Sequence, residues 1–132
     1  MEIRLQAFES LDSTNNYLKK LAAEGAAEGT VVIADEQTAG RGRMGRSFAS
    51  AAGCGIYMSM LLRPADCAPD CAQSLTAVCA VAVCRAVEKV CGRAPGIKWI
   101  NDLYLRGKRS AAYCAKLGQG RQGRLRRAGH RA

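Results

Sequence analysis

Residues 29–48 read GTVVIADEQTAGRGRMGRSF, and the rest of the chain is best read outward from them. Thr30 to Ala34 is a short β-branched run, the pattern of a buried strand. It feeds Asp35-Glu36-Gln37-Thr38 and then the glycine-rich segment Gly40-Arg41-Gly42-Arg43-Met44-Gly45-Arg46. Gly55 to Leu62 (GIYMSMLL) is a second apolar strand, closed by Arg63-Pro64.

Two phosphate-binding patterns nearly fit the glycine-rich segment, and both fail for the same reason. Gly40, Gly42 and Gly45 match G-x-G-x-x-G, but a dinucleotide fold needs a helix directly afterwards. Gly40 to Ser47 approximates the Walker A spacing, but Arg46 stands in place of its lysine. In this chain Ser47 to Gly55 is small and glycine-broken, and the next element is a strand. What remains is physical: alternating glycines let backbone approach a ligand closely, and Arg41, Arg43 and Arg46 offer fixed charge to phosphate or carboxylate. The same residues also suit a solvated basic turn.

Toward the N-terminus, Ile3 to Phe8 alternates as a first strand. Asp12-Ser13-Thr14-Asn15 supplies N-cap residue types for a helix that places Tyr17, Leu18, Leu21 and Ala22 on one face and stops at Gly25. Toward the C-terminus, a helix is expected over residues 73–90, with an apolar stripe of Leu75, Val78, Cys79, Ala82, Val83, Ala86, Val87 and Val90. Ile97 to Leu105 (IKWINDLYL) alternates as one strand and turns at Arg106-Gly107. Lys98 in it either snorkels from an edge or points into a site, and Asn101 and Asp102 are out of place in a buried strand unless they bind something or end it. The order β-α-β-β-α-β predicts an α+β fold with helices packed against a mixed β-sheet.

Composition narrows the class. The chain has 132 residues, 48% of them hydrophobic, enough for one core-bearing domain or part of a larger one. The uncharged run around Leu75 to Cys84 is too short for a bilayer, and Met1 to Glu9 alternates charged and apolar residues unlike a signal peptide, so a cytoplasmic protein is expected. The net charge of +9 suggests nucleic acid until it is divided by position. Residues 1–107 hold 12 basic and 11 acidic groups, whereas residues 108–132 hold 8 basic groups and no acid. Any binding through charge therefore concerns the tail, and the body has no aromatic platform at useful spacing, so no specific nucleic-acid partner is expected. Seven cysteines without a clustered histidine read as small buried hydrophobes in a reducing compartment, with no metal site.

Taken together, LDSTNNYLKKLA, GTVVIADEQTAGRGRMGRSF, GIYMSMLL and PGIKWINDLYLRGK resemble, in order and spacing, the biotin protein ligases. The resemblance runs from about Glu9 to Lys108, the first half of that family's catalytic domain. It implies a biotin/lipoate ligase catalytic-domain fold, similar to class II aminoacyl-tRNA synthetases and incomplete here. With about a dozen residues before Asp12-Ser13-Thr14, the monofunctional type is expected. The implied reaction joins biotin and ATP, with Mg²⁺, into biotinyl-5′-AMP, then transfers biotin to a lysine of a carboxylase's biotin carboxyl carrier domain, without a prosthetic group or a membrane.

The resemblance also implies roles. Ser13, Thr14, Asn15 and Gln37 would line the biotin ureido end, and Gly40, Arg41, Gly42 and Arg43 would fold over the adenylate. Lys98 would contact the biotin carboxylate and α-phosphate and, with Arg43, carry the catalysis. Phe48 would pack on the adenine side, and Asn101 and Asp102 would face the ATP phosphates and their Mg²⁺. A lipoate or octanoate ligase or transferase of related fold is the alternative, with the GRGRMGR loop against it; a non-catalytic fragment is another.

The pattern departs after Lys108. Family members continue with a strand of the type V/L-C/A-G-I-L-x-E, where this chain reads RSAAYCAKLGQ from Arg109. One codon assignment for residues 110–119, read one base earlier, encodes VCGILCEAGT, which fits that strand. Residues 1–109 are accordingly expected to form the N-terminal part of the catalytic domain, and residues 110–132 an out-of-frame, disordered basic tail. Little or no ligase activity is expected of the chain as written.

Overall fold

Strand β1 (Arg4–Leu11), helix α1 (Thr14–Ala23), strand β2 (Thr30–Gln37) and strand β3 (Tyr57–Met60) build the first of two units, Met1–Ala68 and Pro69–Ala132. The computed structural model describes residues 1–64 and 71–112, and each unit is described by itself. The sheet order is β1-β2-β3. β1 runs parallel to β2, with Leu5 opposite Val31, and β3 runs antiparallel to it, with Met60 opposite Val31. A parallel pair needs a crossover, and α1 provides it.

Local chemistry sets the ends of α1. Ser13 is extended (φ −164°) and its Oγ accepts from the Asn16 N–H, the N-cap arrangement. Gly25, at φ 93°, takes the left-handed position that stops the helix. Arg63 then donates to the carbonyls of Ala22 and Ala26 at 3.1 and 2.9 Å, tying the end of β3 to the end of α1. Gly29 has no room for a side chain: a Cβ there would run into the Glu2 carbonyl.

Period-two alternation sorts the sheet into two faces. Phe8, Val32, Ala34 and Ser59 face α1, where the Phe8 and Tyr17 rings meet edge-on at 4.8 Å. Val32, Ala34 and Leu18 form this core. Full burial of Val32 alone stabilises by roughly 1.5–3 kcal/mol. The opposite face carries Leu5, Ala7, Met58 and Met60 around Val31 and Ile33; Val31 is buried at its centre, while Leu5 is 60% exposed and Met58 55%.

The second unit holds helix α2 (Cys71–Cys91) and strands β4 (Gly96–Lys98), β5 (Asp102–Leu105) and β6 (Lys108–Ala112), antiparallel in that order. Four expectations change here. The single strand over Ile97–Leu105 is two: the chain reverses through Trp99-Ile100-Asn101, and Lys98 pairs with Asp102. Alternation cannot distinguish one strand from two arms of a tight hairpin, and asparagine is a turn residue. Regular structure also runs past Lys108, because Arg106 (φ 53°) and Gly107 (φ 74°) form a two-residue turn of type I′ sign that pairs β6 with β5 whatever its side chains.

The third change is that the strands form two three-stranded sheets, the first mixed and the second antiparallel. The fourth concerns α2, whose packed line is Thr76, Ala80, Val83 and Val87, with Ala80 and Leu103 each 1% exposed, while Val78 and Val90 of the expected stripe are open to solvent. The face a helix buries is set by what it meets, here β4 and β5, rather than by its own hydrophobicity. The cysteines divide likewise: Cys54 and Cys91 are exposed, and Cys79 and Cys84 half-buried. The tail beyond Ala112, expected to be disordered, lies outside the described residues. Among the described residues no helix is long and apolar enough to cross a membrane.

Candidate active site

The C-terminal end of β2 and the N-terminal end of α1 meet in a small buried polar cluster. Ser13 and Thr14 are 2% and 3% exposed. The Thr14 N–H donates to Oε1 of Gln37 at 2.9 Å, and the Thr14 hydroxyl donates to the same oxygen at 3.1 Å. Oγ of Ser59, on β3, lies 2.8 Å from Oγ1 of Thr14. On its other side Gln37 donates from Nε2 to Oγ of Ser50 at 2.9 Å, and Ser50 donates to the Phe48 carbonyl at 3.1 Å. Among the described residues no buried side-chain nitrogen or oxygen lacks a partner.

This cluster anchors the glycine-arginine loop. Backbone bonds Gln37 N to Ser50 O (3.0 Å), Phe48 N to Gly40 O (2.8 Å) and Gly42 N to Arg46 O (2.7 Å) zip its stem. At the tip, Arg43–Gly45 form a short 3-10 turn with Met44 at φ 54° and 94% exposed. Gly40 is required by space: a Cβ there would press on the Phe48 carbonyl and come within 2.6 Å of Ser50 Oγ. Arg41 and Arg46 are exposed, and Arg43 is described in its backbone alone. The loop thus presents Arg41 and Arg46 to solvent on a pinned stem, with no helix behind it. Phe48 and Asn15 are half-buried beside this cluster in sequence, Asn15 following Thr14 in the first turn of α1.

Asp12 precedes the helix cap. Asn16 Nδ2 donates to its carboxylate at 3.0 Å, and that bond, then the Ser13 backbone, holds the Asp12 carboxyl below the usual 3.8.

In the second unit, Lys98 is exposed at the end of β4, its Nζ 5.7 Å from the Tyr104 ring centre. Asn101 sits in the turn and Asp102 opens β5, both half-buried. The structure therefore gathers Ser13, Thr14, Gln37, Gly40 and Phe48 in one unit and Lys98, Asn101 and Asp102 on one hairpin of the other.

Two members of the polar cluster were not anticipated from sequence. Ser59 is the lone serine in GIYMSMLL, on the alternation that faces α1, and this was a usable signal. Ser50 had none, because its role depends on how the loop returns.

A family model described as the Biotin/lipoate A/B protein ligase family matches residues 7–124, most of the chain. The chain belongs to this family. Among relatives of this family member, "Bifunctional ligase/repressor BirA" of Bacillus subtilis is 41% identical over 116 residues, covering 88% of this chain and 35% of that one. "Biotin--[acetyl-CoA-carboxylase] ligase" of Mycobacterium tuberculosis is 36% identical over 120 residues, covering 88% and 45%. In structure, the biotin protein ligase of Aquifex aeolicus solved with biotin and ATP superposes with a TM-score of 0.76 at 34% identity, covering 88% of this chain and 47% of that one. The ligase-family chain thus spans about a third to a half of these relatives.

Proposed function

We propose that this chain carries the biotin-recognition part of a biotin–carrier-protein ligase. The observation that carries the reading is the bonded pair of buried Thr14 and half-buried Gln37 at the root of the GRGRMG loop. A cyclic urea needs polar groups fixed at short range, and the Gln37 carboxamide, its oxygen filled by Thr14 and one Nε2 hydrogen by Ser50, keeps its second Nε2 hydrogen as a fixed donor for the ureido oxygen.

The reaction has two steps. A biotin carboxylate oxygen attacks the α-phosphorus of ATP, the bond to the β-phosphate breaks, and pyrophosphate leaves. A carrier lysine amine then attacks the acyl carbon of the mixed anhydride, AMP leaves, and the amine gives up a proton. Both steps build charge on phosphate oxygens, so positioning and fixed cations carry most of the work. Arg41 and Arg43 supply such charge from the loop, and Lys98 takes the α-phosphate and the biotin carboxylate. Phe48 packs against adenine.

Mg²⁺ would enter on the ATP phosphates. Among the described residues there is no group of three metal-ligating side chains. The donors offered are Asn101 and Asp102, and one carboxylate beside substrate phosphates is an ordinary magnesium environment. The ion would neutralise phosphate charge. Turnover by this chain is expected to fall far below that of the longer relatives it matches, because Leu5 and Met58 leave apolar surface of its first sheet exposed.

Calorimetric titration with biotin, lipoate and octanoate tests the reading. Saturable binding of biotin with neither acid competing supports it, and preference for lipoate or octanoate moves the chain to the other branch of its family.

A further inference from the structure

We propose that Ser50 is a positioning residue, locking the Gln37 carboxamide in one orientation and tying it to the stem of the glycine-arginine loop. The direction of every bond in the cluster follows from one donor. The Thr14 N–H can only donate, so the atom it meets at 2.9 Å must be Oε1 of Gln37. The Thr14 hydroxyl spends its hydrogen on the same oxygen, so the Ser59 hydroxyl must donate to Thr14. Gln37 therefore turns Nε2 toward Ser50, whose oxygen accepts at 2.9 Å while its hydrogen goes to the Phe48 carbonyl.

The result is a one-way relay, Ser59 to Thr14 to Gln37 to Ser50 to Phe48, running from β3 through α1 and β2 into the loop stem. Ser50 occupies its decisive link for two reasons. It is 4% exposed, so no bulk water can replace its oxygen if it is removed. Its backbone carbonyl also accepts from Gln37 N at 3.0 Å, and its Oγ lies where a Cβ on Gly40 would fall, so the same residue touches the loop stem and the amide. Without the Ser50 hydroxyl, Nε2 would have no buried acceptor, the Phe48 carbonyl would lose a donor, and the carboxamide would be held by Oε1 alone. This inference rests on the biotin-pocket reading above, in which Gln37 meets the ureido group.

The test is nitrogen-15 NMR of the Gln37 side-chain amide together with biotin titration, in the unaltered full chain and in Ser50→Ala and Ser59→Ala. The expected result is slow solvent exchange of one Gln37 Nε2 proton in the unaltered chain. Ser50→Ala should speed that exchange and weaken biotin binding about tenfold, with backbone resonances elsewhere in place. Ser59→Ala should leave the Gln37 exchange unchanged, since Thr14 N–H still fixes Oε1. Unchanged Gln37 exchange in Ser50→Ala overturns the proposal, as does weakened biotin binding without any change at Gln37. If Ser50→Ala does not fold, the unaltered chain decides: a Gln37 amide exchanging at the rate of a free side chain contradicts the lock. An unaltered chain that shows the protected proton but binds no biotin defeats the pocket reading and leaves the Ser50 lock standing.

Discussion

Thr14, the first residue of α1, and Gln37, the last residue of β2, are joined by two hydrogen bonds to a single oxygen. This bond pair fixes where the helix starts relative to the strand.

Replacing Gln37 with alanine strands the buried Thr14 N–H, which has the Gln37 oxygen as its acceptor. Leaving a buried donor unsatisfied costs about 1–3 kcal/mol. Gln37→Ala should therefore lower stability by about that amount in urea denaturation and abolish measurable biotin binding in calorimetry. A variant of native stability and affinity would remove Gln37 from the site.

The Asp12 carboxyl titrates below 3.8 because Asn16 and the Ser13 backbone bond its charged form. A pKa depressed in the folded state means stability that is present above the unfolded value and lost as pH falls through the folded one. Asn16→Ala should raise the Asp12 pKa toward its ordinary value in a carboxylate NMR titration, and should shrink the destabilisation of α1 on acidification. An unmoved pKa would show that Asn16 is a bystander.

Lys98 and Arg41 carry exposed positive charge, and the account gives them the phosphate end of the ligand. Lys98→Ala and Arg41→Ala should each weaken a non-hydrolysable biotinyl-adenylate analogue by about tenfold, the loss of one charge-assisted hydrogen bond, and weaken biotin less. Equal losses for both ligands in Arg41→Ala, or no loss for either in Lys98→Ala, would place these side chains elsewhere.

How much was legible in the sequence depended on how local the signal was. Ser13 as a helix cap, Gly25 as a stop, Thr30 onward as a buried strand and Arg106-Gly107 as a turn all act within a few residues, and the structure has each. The hairpin at Trp99-Ile100-Asn101 escaped because alternating residues look the same in one strand or two arms. The buried face of α2 escaped because β4 and β5 choose it. In the site, Thr14, Gln37 and Gly40 were readable as motif residues, whereas Ser50 acquires its role only when the loop stem closes on Gly40.

The reading of residues 110–132 as out of frame has a direct check. Sequencing the gene on an independent DNA preparation across the codons for Lys108 to Ala111 should reveal one additional A. An unchanged sequence contradicts the shifted reading.

The central claim, that biotin is held at the junction of α1, β2 and the glycine-arginine loop, is tested most directly by titrating the nitrogen-15-labelled chain with biotin and following backbone and side-chain amides. Saturable shifts are expected at Thr14, Gln37, Gly40 and Arg41, with the turn at Gly25, at the other end of α1, unmoved. Shifts confined to other segments, or none at saturating biotin, would contradict it.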